Sequence, residues 1–158
     1  MALRNIVKEG DDRLRKVCRP VEKFDARLHE LLDDMAETMH AADGVGLAAP
    51  QVGILRRVVV IDIGDGVIDL INPKIVYESR AVQTGAEGCL SSPGEYGEVT
   101  RPMKVVCEYY DRFGAKKEIE GEQLLARALC HECDHLDGKL FKDIASRMLS
   151  AEELESED

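Results

Sequence analysis

The chain has 158 residues, 44% of them hydrophobic, enough for one compact domain with its own core. Its 31 acidic residues outnumber 21 basic ones, and the formal charge of -10 opposes nonspecific binding to nucleic acid or anionic lipid. The opening residues interleave charged and apolar side chains, no stretch approaches membrane-spanning length, and five cysteines are an odd number for a disulfide framework, so the expected compartment is the cytoplasm.

Asp25 is placed to cap a helix in which Leu28, Leu31, Leu32, Met35 and Met39 recur at three- and four-residue steps, ending near Ala42. Three glycines and Pro50 between Asp43 and Gly53 predict an irregular loop. The runs VVVIDI, VIDLI, KIVY and KVVCEYY, separated by Gly, Pro and Asn between Val58 and Tyr110, predict antiparallel strands. A turn at Asp111 to Gly114 leads to a last strand near Lys116 to Ile119, then to a helix from Glu122 to Asp137 closed by Gly138. The expected fold is α+β, with mainly antiparallel sheets packed around a central helix. The closing AEELESED, residues 151–158, reads as a short, frayed acidic tail.

That second helix carries His131-Glu132-Cys133-Asp134-His135, an HExxH pattern. At about 100° per residue the two imidazoles lie about 40° apart on one face and can chelate one ion, while Leu125, Leu129 and Leu136 form the adjacent apolar stripe. Glu132 falls between the two faces. Two imidazoles do not complete a site, and three sources of a further ligand compete. Glu152, Glu153 and Glu155 sit in the tail, a poor setting for a rigid ligand. Cys130 and Cys133 point well over about 100° away from the histidines on a regular helix. Cys89, flanked by Gly85 and Gly88, can be brought close to another element by a permissive backbone and is favoured on geometry. Taken alone, Cys89 reads as a buried small residue, as Cys18, Cys107, Cys130 and Cys133 do. Arg127, one turn before His131, is expected to reach solvent.

GVGLAAPQ (44–51), EGCLS (87–91) and HECDH (131–135), in this order and with these intervals, resemble the three signature motifs of the peptide deformylases. The resemblance spans nearly the whole chain and implies a catalytic domain over residues 1–150. It implies that Cys89, His131 and His135 bind a divalent ion, Fe(II) physiologically, with zinc, nickel or cobalt able to replace it. Glu132 would be the general base, the Leu90 backbone N–H and the Gln51 amide the oxyanion donors, and Gly46 with its neighbour Val45 the substrate-binding edge. The implied reaction removes the formyl group from a nascent N-formyl-methionyl polypeptide, with the ribosome as a candidate further partner and no membrane or nucleic-acid motif involved. Cys133 stands where many relatives carry a larger apolar residue, and the chain ends on acidic residues in place of a basic extension. Two rival readings remain: a metallopeptidase with another third ligand, and a module whose closed, four-ligand metal site serves only stability.

Overall fold

The computed structural model describes residues 2–156. An extended N-terminal arm passes through one 3-10 turn at Asp12–Arg15 and reaches the first helix, α1 (Ala26–Ala41). The Asp25 carboxylate accepts the Leu28 N–H at 3.1 Å, satisfying one of the otherwise unpaired amides of the first turn. The five apolar residues spaced along α1 are buried, and they pack on Leu47, Val58, Val60 and Ile71.

Residues 43–53 are more regular than the sequence indicates. Strand β1 (Gly46–Ala48) lies there, followed by a 3-10 turn at Ala49–Val52. Its partner is β2 (Val58–Ile61), with Gly46 opposite Ile61 and Ala48 opposite Val59. A three-residue strand owes its form to that partner, which local composition does not reveal.

VIDLI and KIVY belong to one strand, β3 (Ile68–Glu78), whose register slips at Asn72 and Pro73. Asn72 sits at φ 52°, and its side-chain amide exchanges two hydrogen bonds with the Val21 backbone, at 2.8 and 3.0 Å. The next two strands, β4 (Val82–Cys89) and β5 (Ser92–Pro102), carry few of the β-branched residues that mark the others and went unpredicted. β6 (Lys104–Tyr110) matches KVVCEYY, and β7 (Lys116–Glu122) extends beyond Ile119.

The second helix, α2 (Leu124–Leu136), begins two residues later than expected, because Glu122 ends β7 and Gln123 turns the chain with φ 53°. Gly138, at φ 74°, lies just past its end and donates its N–H to the His135 carbonyl. After a two-residue strand, β8 (Arg147–Met148), the segment expected to fray forms α3 (Ala151–Ser156). Ser150 caps it: its hydroxyl accepts the Glu153 N–H at 3.2 Å, while the Glu153 carboxylate accepts the Ser150 N–H at 3.1 Å. Glu157 and Asp158 lie outside the described residues.

One sheet has the order β1-β2-β3-β6-β7 and the other β4-β5-β8, with every ladder antiparallel. The α+β expectation with antiparallel sheets holds, and helix α2 touches strands of both sheets. Its Leu129 and Leu136 join Val59, Ile61, Leu70 and Val105 in the main core. Among the described residues no helix is long and apolar enough to cross a membrane.

Candidate active site

Between the two sheets lies a cleft of about 440 Å³ whose lining includes Gly46, Gln51, Cys89, Leu90, His131 and Glu132. Helix α2 supplies His131, Glu132 and His135, all buried, and the end of β4 supplies Cys89. Cys89 Sγ, one nitrogen of His131 and one of His135 lie within 4.8 Å of one another, and among the described residues they form the cluster able to hold a metal ion. Cys89 Sγ is 3.3 Å from His135 Nε2, close to the edge of about 3.6 Å that ordinary metal–sulfur and metal–nitrogen lengths give in a tetrahedron. Cys130 instead packs in the core, where burial pushes its thiol up to about 12, and Cys133 takes no place in the cluster.

Two buried atoms have no protein hydrogen-bond partner among the described residues, Glu132 Oε1 and His135 Nδ1. A carboxylate oxygen left unsatisfied inside a protein costs free energy, so it points to a species beyond the chain itself. The other oxygen, Oε2, lies so near Gly46 that a Cβ there would come within 2.5 Å of it. Close approach of a neighbouring side chain, not an unusual backbone angle, makes glycine necessary at position 46. Burial pushes the Glu132 carboxyl up to about 7. Burial first, then the neighbouring His131, holds the His135 imidazole well below its ordinary range.

Gln51 is fully buried on the 3-10 turn after β1. Its Oε1 accepts the Ala48 N–H at 3.0 Å, and its Nε2 reaches Ser91 Oγ at 3.1 Å and Cys89 Sγ at 3.4 Å. Leu90 and Ser91 form the turn between β4 and β5, directly after Cys89. Strand β1 is the outermost strand of its sheet, so one side of Gly46 and its exposed neighbour Val45 faces the cleft without a partner strand.

A set of buried charges behind the Cys89, His131 and His135 cluster escaped the sequence reading. Glu87 Oε2 lies 2.6 Å from His131 Nδ1, turning the other ring nitrogen toward the cluster. Arg101 grips both oxygens of Glu87, at 3.1 and 2.7 Å, and also donates to Asp134 at 2.7 Å. Arg127 is not the solvent-facing residue expected: it donates to Glu87 at 2.8 Å and to the Val99 carbonyl at 3.1 Å, at the wall of the cleft. Burial opposes the charge on Glu87, but the hydrogen bonds from His131 and Arg101 outweigh it and hold the carboxyl at about 2. One signal was available, since Glu87 lies two residues before Cys89 and two-residue spacing on a strand puts both on one face.

The family model described as "Polypeptide deformylase" matches residues 3–150. The peptide deformylase of Caldanaerobacter subterraneus subsp. tengcongensis is 61% identical over 155 residues, 98% of this chain and 97% of that protein. That of Thermoanaerobacter pseudethanolicus is 59% identical with the same coverage. The crystal structure of the Thermotoga maritima peptide deformylase superposes with a TM-score of 0.90 at 42% identity, covering 91% of this chain and 98% of that one. A peptide deformylase from Synechococcus elongatus in complex with actinonin gives 0.86 at 41% identity, covering 96% and 81%.

Proposed function

The chain belongs to the polypeptide deformylase family, metal-dependent hydrolases that remove the formyl group from N-formyl-methionyl polypeptides, and on that premise we propose how its residues divide the work. Residues 1–150 form the catalytic unit. Cys89, His131 and His135 hold one divalent ion, a donor set that suits several borderline metals; Fe(II) is the physiological one, with zinc, nickel or cobalt able to substitute. When bound, the ion supplies Lewis acidity, bringing the pKa of a water down to about 7.

Glu132 is the general base. Its unpartnered Oε1 accepts the proton as the water oxygen bonds to the formyl carbon. Charge then gathers on the former carbonyl oxygen, and the Leu90 backbone N–H and the Gln51 side-chain amide donate to it. Glu132 passes its proton to the amine nitrogen, the carbon–nitrogen bond breaks, and formate leaves. Val45 and Gly46 receive the substrate backbone along the open side of β1, as a strand edge accepts an extended peptide.

The observation that carries this reading is a buried carboxylate oxygen with no protein partner, beside a Cys/His/His cluster in one cleft. It also favours hydrolysis over a purely structural metal site, which has no use for an adjacent base. Five free cysteines and a thiolate ligand suit a reducing compartment, the cytoplasm, where nascent chains leave the ribosome. The test is formate release from a short formyl-Met peptide by anaerobically prepared protein, alongside Glu132→Ala with its metal content measured. Turnover lost with metal retained is the expected result; a metal-loaded parent that releases no formate overturns the assignment.

A further inference from the structure

The turn that carries Leu90 has a hollow on each side. The catalytic cleft lies on one, and a second cavity of about 680 Å³ lies on the other, bounded by Glu9, Arg15 and Lys142 among others; Ser92, Pro93 and Glu95 line both. Between Gly88, opposite Tyr96, and Cys89, opposite Ser92, the pairing of β4 with β5 slips, leaving residues 93–95 looped out. Leu90 packs on the α1-side core and Ser91 and Ser92 are buried, but the looped residues 93–95 are exposed, so close packing holds the turn on its core side alone.

On the other side, hydrogen bonds from the N-terminal arm hold it. The Val7 N–H donates to the Gln51 carbonyl at 2.7 Å and the Glu9 N–H to the Ser91 carbonyl at 2.9 Å. Residues two apart on an extended chain present their amides to the same side, so one short stretch of arm ties together the segments bearing Gln51 and Leu90. The Glu9 side chain adds a second attachment: it accepts the hydroxyl of buried Ser92 at 2.8 Å and pairs with Lys142 Nζ at 2.6 Å, while Lys142 also reaches Glu95 at 2.5 Å. Ser91 in turn accepts from Gln51 Nε2.

We propose that Glu9, acting with Ser92 and Lys142, is a positioning residue for deformylation that fixes the Leu90–Ser91 turn and, through Ser91, the Gln51 amide. This rests on the oxyanion roles assigned above. Neither Glu9 nor Lys142 lines the catalytic cleft, so their loss should reach the reaction only through the turn. A displacement of a fraction of an ångström in a preorganised donor is enough to slow the chemical step while binding persists.

The experiment compares the parent with Glu9→Ala, Glu9→Gln, Lys142→Ala and the exposed control Arg147→Ala, all metal-loaded. It combines formyl-Met peptide kinetics, thermal midpoints and amide hydrogen exchange over residues 88–95. Glu9→Ala and Lys142→Ala are expected to lower kcat about tenfold with KM within about twofold, and to speed exchange in that segment. Glu9→Gln, which still accepts from Ser92, should recover most of kcat, and the control should match the parent. A lowered thermal midpoint with kcat and segment exchange unchanged would leave Glu9 merely structural and overturn the proposal. The exchange measurement needs no turnover, so a parent that releases no formate fails the functional reading while the positioning is decided on exchange alone.

Discussion

Glu132 and Glu87 are two buried carboxylates whose pKa values are pushed in opposite directions, and the difference lies in what surrounds each. Glu132 has an unpartnered oxygen and a raised pKa, whereas Glu87 meets Arg101, Arg127 and His131. Glu132→Gln should therefore keep the metal and lose about 10³-fold in kcat, the scale of a missing general base, as read by formate release with elemental analysis. Glu87→Ala leaves Arg101 with Asp134 and Arg127 with the Val99 carbonyl, removes the carboxylate that both share, and frees the His131 ring. It should weaken metal binding about 10- to 100-fold in a chelator competition and destabilise the fold by about 3–5 kcal/mol in denaturant titration. HECDH and Cys89 were legible because ligation demands particular side chains at fixed spacing. Glu87 and Arg101 were not, because a buried ion pair joins residues whose separation in sequence obeys no period.

At the scale of elements, α1 and β6 were readable to within a residue because an apolar stripe or a β-branched run is a local property. β4 and β5 were missed because VQTGAEGC and SPGEYGEVTRP owe their extended form to each other, not to their own composition. Two contacts at element ends invite direct tests. Gly138 combines a positive φ with an Arg15 carbonyl that would stand 2.5 Å from an added Cβ. Gly138→Ala should cost about 2 kcal/mol or more and lower the thermal midpoint without altering the metal ligands. The arm also docks on α1, where the buried Asp34 accepts the Ala2 N–H at 2.7 Å and Arg4 Nε at 3.0 Å. The Ala2 amide first, then Arg4, holds the Asp34 carboxyl below its ordinary 3.8. A depressed folded pKa contributes stability above the unfolded value and loses it as pH falls through the folded one. Asp34→Asn should thus be less stable than the parent at pH 7 by about 1 kcal/mol, since Arg4 is partly exposed, with the gap closing in acid as the pH falls through the depressed carboxyl pKa. Thermal midpoints at pH 7 and in acid measure it.

For the whole molecule, the ion is a ligand of the folded state alone, so its removal acts on stability as well as turnover. A chelator should abolish formate release and lower the thermal midpoint, and readdition of Fe(II) under anaerobic conditions should restore both; an ion held at 100 times its dissociation constant contributes about 2.7 kcal/mol. The placement of α2 against strands of both sheets has a further consequence. The backbone amides of Leu129 to Leu136 belong to a helix packed against strands of both sheets. Their deuterium uptake should be among the slowest in the chain and report global unfolding. The enzyme then has no partly melted form that retains catalysis: on warming, residual activity and native population should fall along a single curve, and a stabilising change anywhere in the fold should extend its working lifetime to the same degree.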